Sequence, residues 1–356
     1  MKNLTLNDLT QECLLQHLDA TEILLKKVSS KLSNCEKNAE IIAMPDLCIA
    51  HNVTRMMGGF FTGAKYTWDS DVPFIPIDST VNVCGTAVFK LNSEISAEEF
   101  KNRINLVLAD RSKYTWNYTN GNHFISLTYS DGSYGLPSGQ YMVVHASANE
   151  YKNGPNGLYP NPGVWYEKYI ETEYLPNSSR YLRYIAGEPA IRFYEIAKNL
   201  VDFNIERNRY FCKSVLGDLL DQEILSIQHY GMPNINSVCI GVHWEPTTYT
   251  LLTSPGNPIF LVNPSTENFE GSPHGFGLKL KDNTIFEFNE NYLKIGDKTF
   301  KKGEGITIGV DAINRCLEKE NIDNYISEIF KVCPGNLCGK LTQICSLSKD
   351  GFQIWQ

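Results

Sequence analysis

Short apolar runs that carry a histidine or a cysteine recur along this chain, and they constrain its fold more than any other feature. Val81 to Phe89 holds Cys84, His123 to Leu127 opens on its histidine, Met142 to His145 closes on one, and Val238 to Trp244 carries His243. Each is shorter than an ordinary helix and rich in β-branched or aromatic residues, so each reads as a strand. Histidines at the ends of neighbouring strands are easily brought together; a pair of core-edge histidines is the plainer reading of the same residues.

Helices are expected around these strands. Leu14, Leu18, Leu25, Val28 and Leu32 share one face of a helix over 6–33, with Thr5-x-x-Asp8 as a start signal. Ser96-Ala97-Glu98-Glu99 reads as a capping box opening a helix to about Leu108, and Pro189 sits in the first turn of a helical stretch to about Ile224. A last helix is expected near 309–331. Ile41 to Cys48 reads as a strand containing Pro45-Asp46, 151–180 as a long surface excursion, Thr250–Ser254 with Ile259–Val262 as an antiparallel pair, and 284–300 as a hairpin turning at Gly296-Asp297. The expected fold class is α+β: a single compact mixed domain over 1–356, with the N-terminal helix followed by a motif-bearing body over 40–350.

Composition removes several functional classes. No apolar run approaches the length of a membrane span, and Met1 to Thr5 shows no secretory signal, so a cytoplasmic protein without a membrane partner is expected. In that setting the ten cysteines read as reduced thiols; Cys333, Cys338 and Cys345 lack a fourth zinc ligand and read as core thiols. A net charge of −8 without a basic block argues against a broad duplex-binding face, though not against a small cleft for a strand end.

The stretch Ser272-Pro273-His274-Gly275-Phe276-Gly277 stands apart. Glycines beside His274 admit a close backbone or phosphate approach, and imidazole suits attack or proton transfer near neutral pH. Taken alone, His274 reads first as a turn histidine bonded to its own loop.

Several ordered short motifs, taken together, resemble the RtcB-type RNA-splicing ligases. Met44-Pro45-Asp46 is similar to the family's M-P-D-V-H, with Cys48 in the place of that histidine. Val81-Asn82-Val83-Cys84-Gly85 resembles V-D-I-x-C-G, one residue shorter and with Asn82 for the aspartate. Gly121-Asn122-His123-Phe124 reproduces G-N-H-F. Val144-His145-Ala146-Ser147 resembles H-S-G-S-R-G, Val242-His243-Trp244 resembles H-N-Y, and Asn263-Pro264-Ser265 resembles P-G-S-M-G. His274-Gly275-Phe276-Gly277 resembles H-G-A-G-R, and Gln343 to Lys349 resembles V-V-C-x-K-G.

The resemblance implies β-sheets around a central metal and nucleotide cleft with surrounding helices. It also implies an RNA ligase dependent on GTP and Mn²⁺ (two ions in the family), which joins a 3′-phosphate end to a 5′-hydroxyl end in tRNA splicing or RNA repair. By that resemblance His274 is the guanylylated nucleophile. Cys84, His123, His145, His243 and Asn82 are the metal positions, and Asn122, Phe124, Ser265 and Lys349 the nucleotide positions. RNA ends, GTP and a helper protein for guanylylation are the implied partners.

The departures point elsewhere. Asn82 offers a neutral oxygen for a carboxylate, and Asp78 upstream is a candidate substitute. No arginine follows His145 or Gly277, and Ser126 replaces a glutamate. Lost arginines weaken a grip on phosphate. A metal- or nucleotide-binding protein without sealing activity is the alternative, and a metal-dependent hydrolase using His274 as general base is a third reading.

Overall fold

A computed structural model describes residues 1–148, 152, 154–282, 284, 286–288, 292–306, 312–317 and 321–355. The fold is mixed, built from two main sheets and their covering helices. One sheet orders its strands as Leu220–Gln228, Gly85–Leu91, Gly139–Ala146, Phe124–Ser130, Gly335–Ser348, Ile259–Pro264 and Tyr249–Leu251, with Gly351–Ile354 hairpinned onto Gly335–Ser348. It curls until Thr86 Oγ1 near one edge meets Thr250 Oγ1 on the last strand at 2.6 Å. The second sheet runs Lys2–Asn3, Ala39–Cys48, Thr62–Trp68, Ser237–Ile240 and Tyr230–Asn234.

Helix α1 spans Leu9–Ser33 and starts where Asp8, not Thr5, caps it: Asp8 accepts from the Gln11 N–H and the Gln11 side chain accepts from the Asp8 N–H. Leu14, Leu18, Leu24, Leu25 and Val28 are buried along its inner face, each such burial stabilising by about 1.5–3 kcal/mol. Helix α2, Val53–Gly58, was not expected; Asn52 caps it and Gly59 ends it. Helix α3 spans Ala97–Ala109, where Ser96 caps the Glu99 N–H while the Glu99 carboxylate turns to Arg103. Helix α4 spans Glu188–Leu216 and stops before Ile224, because the chain re-enters the sheet at Leu220. The faces of α3 and α4 bury Phe100, Ile104, Phe211 and Val215 against Phe89, Leu127 and Val144.

Other expectations are corrected as well. The strand expected from Val81 begins at Gly85, so Asn82 and Cys84 lie on the segment leading into it. The 151–180 stretch is not wholly a surface excursion, because Leu158 and Tyr166 are fully buried. The hairpin turns at Gly296-Asp297 between Tyr292–Ile295 and Lys298–Lys301, while Ile285 lies outside the described residues. Ala312–Asn314 pairs with Leu278–Leu280 as a strand, and helix α5 is confined to Ile322–Val332; positions 309–311 and 318–320 of the helix expected near 309–331 lie outside the described residues. All ten cysteines are free thiols. No helix among the described residues is long and apolar enough to cross a membrane.

Candidate active site

Strand register builds the site. Gly85 pairs with Gln228 and with Ala146, and Phe124 pairs with His145. Cys84, His123, His145 and His229 therefore gather at one end of four adjacent strands, with the His229 N–H donating to the Cys84 carbonyl at 3.1 Å. A second layer comes from the chain after His229. Its carbonyl accepts from Val242, Val242 and His243 pair with Pro273 and Ser272, and His274 follows. Ring centroids then run without a break: His123 to His145 at 5.5 Å, His145 to His229 at 5.1 Å, and His229 to His274 at 5.0 Å.

Two of these imidazoles, His123 and His145, are oriented by a backbone carbonyl at the second nitrogen. His123 Nδ1 lies 3.0 Å from the Asn117 carbonyl, and His145 Nδ1 lies 3.0 Å from the Asn122 carbonyl. A carbonyl only accepts, so both rings carry their proton on Nδ1 and turn the Nε2 lone pair inward. His123 Nε2 faces Cys84 Sγ at 3.6 Å and Ser147 Oγ at 3.2 Å, while His145 Nε2 faces His229 Nε2 at 3.2 Å. The backbone that holds these rings is tied from α4. Asn204 Nδ2 donates to the Val83 and Ala146 carbonyls, and Arg207 donates to the Ser147 carbonyl at 2.7 Å.

Burial keeps this row neutral. It lowers the His145 pKa to about 4 and that of His243 to about 3, and pushes His123 and His229 well below the usual imidazole range, neighbouring histidines adding to the effect. Burial also raises the Cys84 thiol, against the opposing charge of Lys152. Uncharged imidazoles are the form that binds a cation.

His274 is held differently. Its Nδ1 lies 2.6 Å from Asp46 Oδ2, and the same oxygen accepts the backbone N–H groups of His274 and Gly275 at 3.2 Å each. Asp46 reaches it because Gly277, at φ 68°, lets the two segments touch: a Cβ there would sit 2.4 Å from the Asp46 carbonyl oxygen. Gly241, also at φ 68°, leaves room for the ring, since a Cβ there would lie 2.8 Å from His274 Cε1. With the proton fixed on Nδ1, Nε2 is left as a lone pair.

The residues expected from sequence are partly assembled. Cys84, His123, His145 and His274 come together. His243 is beside them, yet its Nδ1 and Nε2 face the Gln228 and Thr250 carbonyls at 3.2 Å each, so neither nitrogen is turned toward the cluster. His229, which no sequence motif marked, lies between the His145 and His274 rings. Asn82 keeps its side-chain oxygen buried without a hydrogen bond. Asp78 is no substitute carboxylate, being engaged by the Arg183 guanidinium through both oxygens. Asn122 contributes its carbonyl and Phe124 packs 5.6 Å from the His145 ring. Ser348 pairs with Phe124, which puts Lys349 at the same sheet end, whereas Ser265 follows Pro264, paired with Gly335 at the far end of that 14-residue strand. The structure does not bring Ser265 and Lys349 together along the sheet.

The donor set fits a divalent cation in kind: a thiol and imidazoles, of which His123 and His145 are oriented by backbone carbonyls as ligating histidines are. Cys84 and His123 face one another at 3.6 Å, whereas His145 Nε2 accepts from the His229 Nε2–H at 3.2 Å. Among the described residues, no three histidine, cysteine, aspartate or glutamate side chains converge to hold one ion. No protein-family model matches the chain, and no curated protein matches it in sequence.

Proposed function

We propose that this protein is a nucleotidyl-transfer enzyme resembling the RtcB-type ligases, which uses GTP to guanylylate His274 and joins an RNA 3′-phosphate to a 5′-hydroxyl. The supporting observation is the Asp46–His274 dyad beside a row of neutral imidazoles and a thiol. Asp46 fixes the Nδ1 proton, so Nε2 attacks the α-phosphorus of GTP; the N–P bond forms as the bond to the β-phosphate oxygen breaks, and pyrophosphate leaves. Asp46 also steadies the imidazolium that develops during attack.

Mn²⁺, or another divalent ion, would be held by Cys84, His123, His145 and His229, with the buried Asn82 oxygen in reserve. Bound there, it would supply neutralisation of phosphate charge. The setting this reading implies is cytoplasmic, with RNA ends as substrate and a helper protein for guanylylation as a partner.

One observation favours the alternative of a metal- or nucleotide-binding protein without sealing activity. The Lys152 ammonium donates to Ser147 Oγ and is buried beside Cys84 and His123, where a second cation would be repelled.

The test is incubation with α-labelled GTP and Mn²⁺, followed by an RNA pair bearing 3′-phosphate and 5′-hydroxyl ends. An acid-labile adduct absent from His274→Ala, and sealed RNA, support the ligase. An adduct without sealing leaves the alternative, and no adduct at all removes nucleotidyl transfer.

A further inference from the structure

Arg55 is an arginine of this site that no motif marks. It lies in α2, which exists because Asn52 Oδ1 accepts the Arg55 N–H at 3.2 Å and Gly59 closes the turn at φ 80°. The short helix turns the side chain inward, where it is 9% exposed. Its guanidinium lies 4.9 Å from the centre of the Tyr230 ring, and Nη2 donates to Thr62 Oγ1 at 3.2 Å. Nε is buried with no hydrogen-bond partner, and no carboxylate among the described residues pairs with this cation.

Its neighbours place it at the nucleophile. Tyr230 follows His229, whose ring is 5.0 Å from that of His274. A Cβ built on Gly241 would touch both His274, at 2.8 Å, and Thr62 Cγ2, at 2.9 Å, so the threonine that receives Arg55 borders the His274 ring. The positive charge also acts on the Cys84 thiol. A buried guanidinium without a counter-ion is costly, and a chain that folds around one leaves a charge to be completed by an anion. The planar fork of arginine matches phosphate oxygens, and with Tyr230 over the guanidinium and Nη2 on Thr62, Nε has no partner of its own.

We infer that Arg55 is the phosphate-gripping residue of this site, supplying from α2 the cation that the positions after His145 and Gly277 lack. The inference rests on the proposed phosphoryl chemistry for its setting, yet it concerns binding alone. The ligand class is a phosphate group, either in the triphosphate of a nucleotide or at the end of an RNA strand.

The test is calorimetric titration and thermal melting of the full chain with inorganic phosphate and with pyrophosphate, in chelator and without Mn²⁺, so that a failure of guanylylation leaves it untouched. Arg55→Met is expected to melt at the same or a higher temperature than the parent, because it removes an unpaired buried charge. Its phosphate affinity is expected to fall roughly 10- to 100-fold. Arg55→Lys keeps the charge without the fork and is expected to bind roughly tenfold more weakly. If Arg55→Met fails to fold, Arg55→Lys decides. Undiminished phosphate binding in the folded variant overturns the inference. Parallel titrations with GTP and with a 3′-phosphorylated oligoribonucleotide identify the source of the phosphate by which affinity falls, and a loss in neither overturns it as well.

Discussion

Asp46 and His274, 228 residues apart, meet at 2.6 Å through Oδ2 and Nδ1. The contact joins the strand Ala39–Cys48 to the glycine-flanked turn after Pro273, and it sets which nitrogen of His274 is free. Asp46→Asn would keep an oxygen on the backbone N–H groups of His274 and Gly275 but remove the negative charge that steadies the imidazolium formed as Nε2 attacks. Adduct formation from GTP is expected to fall on the order of 10²–10⁴-fold, with the far-ultraviolet circular dichroism unchanged. Labelled-adduct kinetics on the folded variant measure this.

His229 and His243 are separable by their hydrogen bonds. His229 turns Nε2 to His145 and leaves Nδ1 without a partner, whereas both nitrogens of His243 face backbone carbonyls. His229→Gln is expected to weaken Mn²⁺ binding by roughly 10- to 100-fold. His243→Gln is expected to lower the melting temperature while leaving metal affinity within about threefold. Calorimetric titration with Mn²⁺ and thermal melts of both variants separate the two roles.

Stability should depend on pH through the buried row. His145 and His243 have folded pKa values of about 4 and about 3, below the unfolded value near 6.5. Between those limits the unfolded chain binds more protons, so stability is full above pH 6.5 and is lost as pH falls toward 4 and then 3. For His145 the loss is about 3 kcal/mol. Denaturant titrations from pH 7 to pH 4 are expected to show it, and His145→Asn should flatten the slope.

Gly241 is expected to be intolerant of a side chain. At φ 68° an alanine is strained, and its Cβ would meet the His274 ring at 2.8 Å and Thr62 at 2.9 Å. Gly241→Ala should cost about 1–2 kcal/mol from backbone strain alone, and should displace His274 enough to abolish the adduct. Chemical denaturation and the adduct assay report the two effects.

The fold and site were legible in the sequence to different depths. α1, the Ala39–Cys48 strand and the Phe124–Ser130 strand announce themselves by period and by cap or turn residues. His123 and His145 were readable because each sits at the end of an apolar run, and Cys84 only through the motif its segment resembles. His229 was hidden because the residues before it were assigned to the end of α4. Leu220–Gln228 is a half-exposed edge strand without strong alternation, though it too runs into a histidine as Met142–His145 does. Arg55 was hidden because the pair Asn52 and Gly59, which start and stop a helix only six residues long, gives too short a period to register. Nor does local sequence report the long-range pairings that dispose of Asp78 and His243. Asp78 is taken by Arg183 and His243 by Thr250, contacts fixed only by how the strands cross.

The most direct measurement is tandem mass spectrometry of the chain after incubation with GTP and Mn²⁺ and quenching at alkaline pH, which preserves a phosphoramidate. The account predicts a single GMP moiety on His274, greatly reduced in Asp46→Asn and absent in His274→Ala. A GMP found on another residue, or none on an otherwise folded and metal-loaded chain, would contradict it.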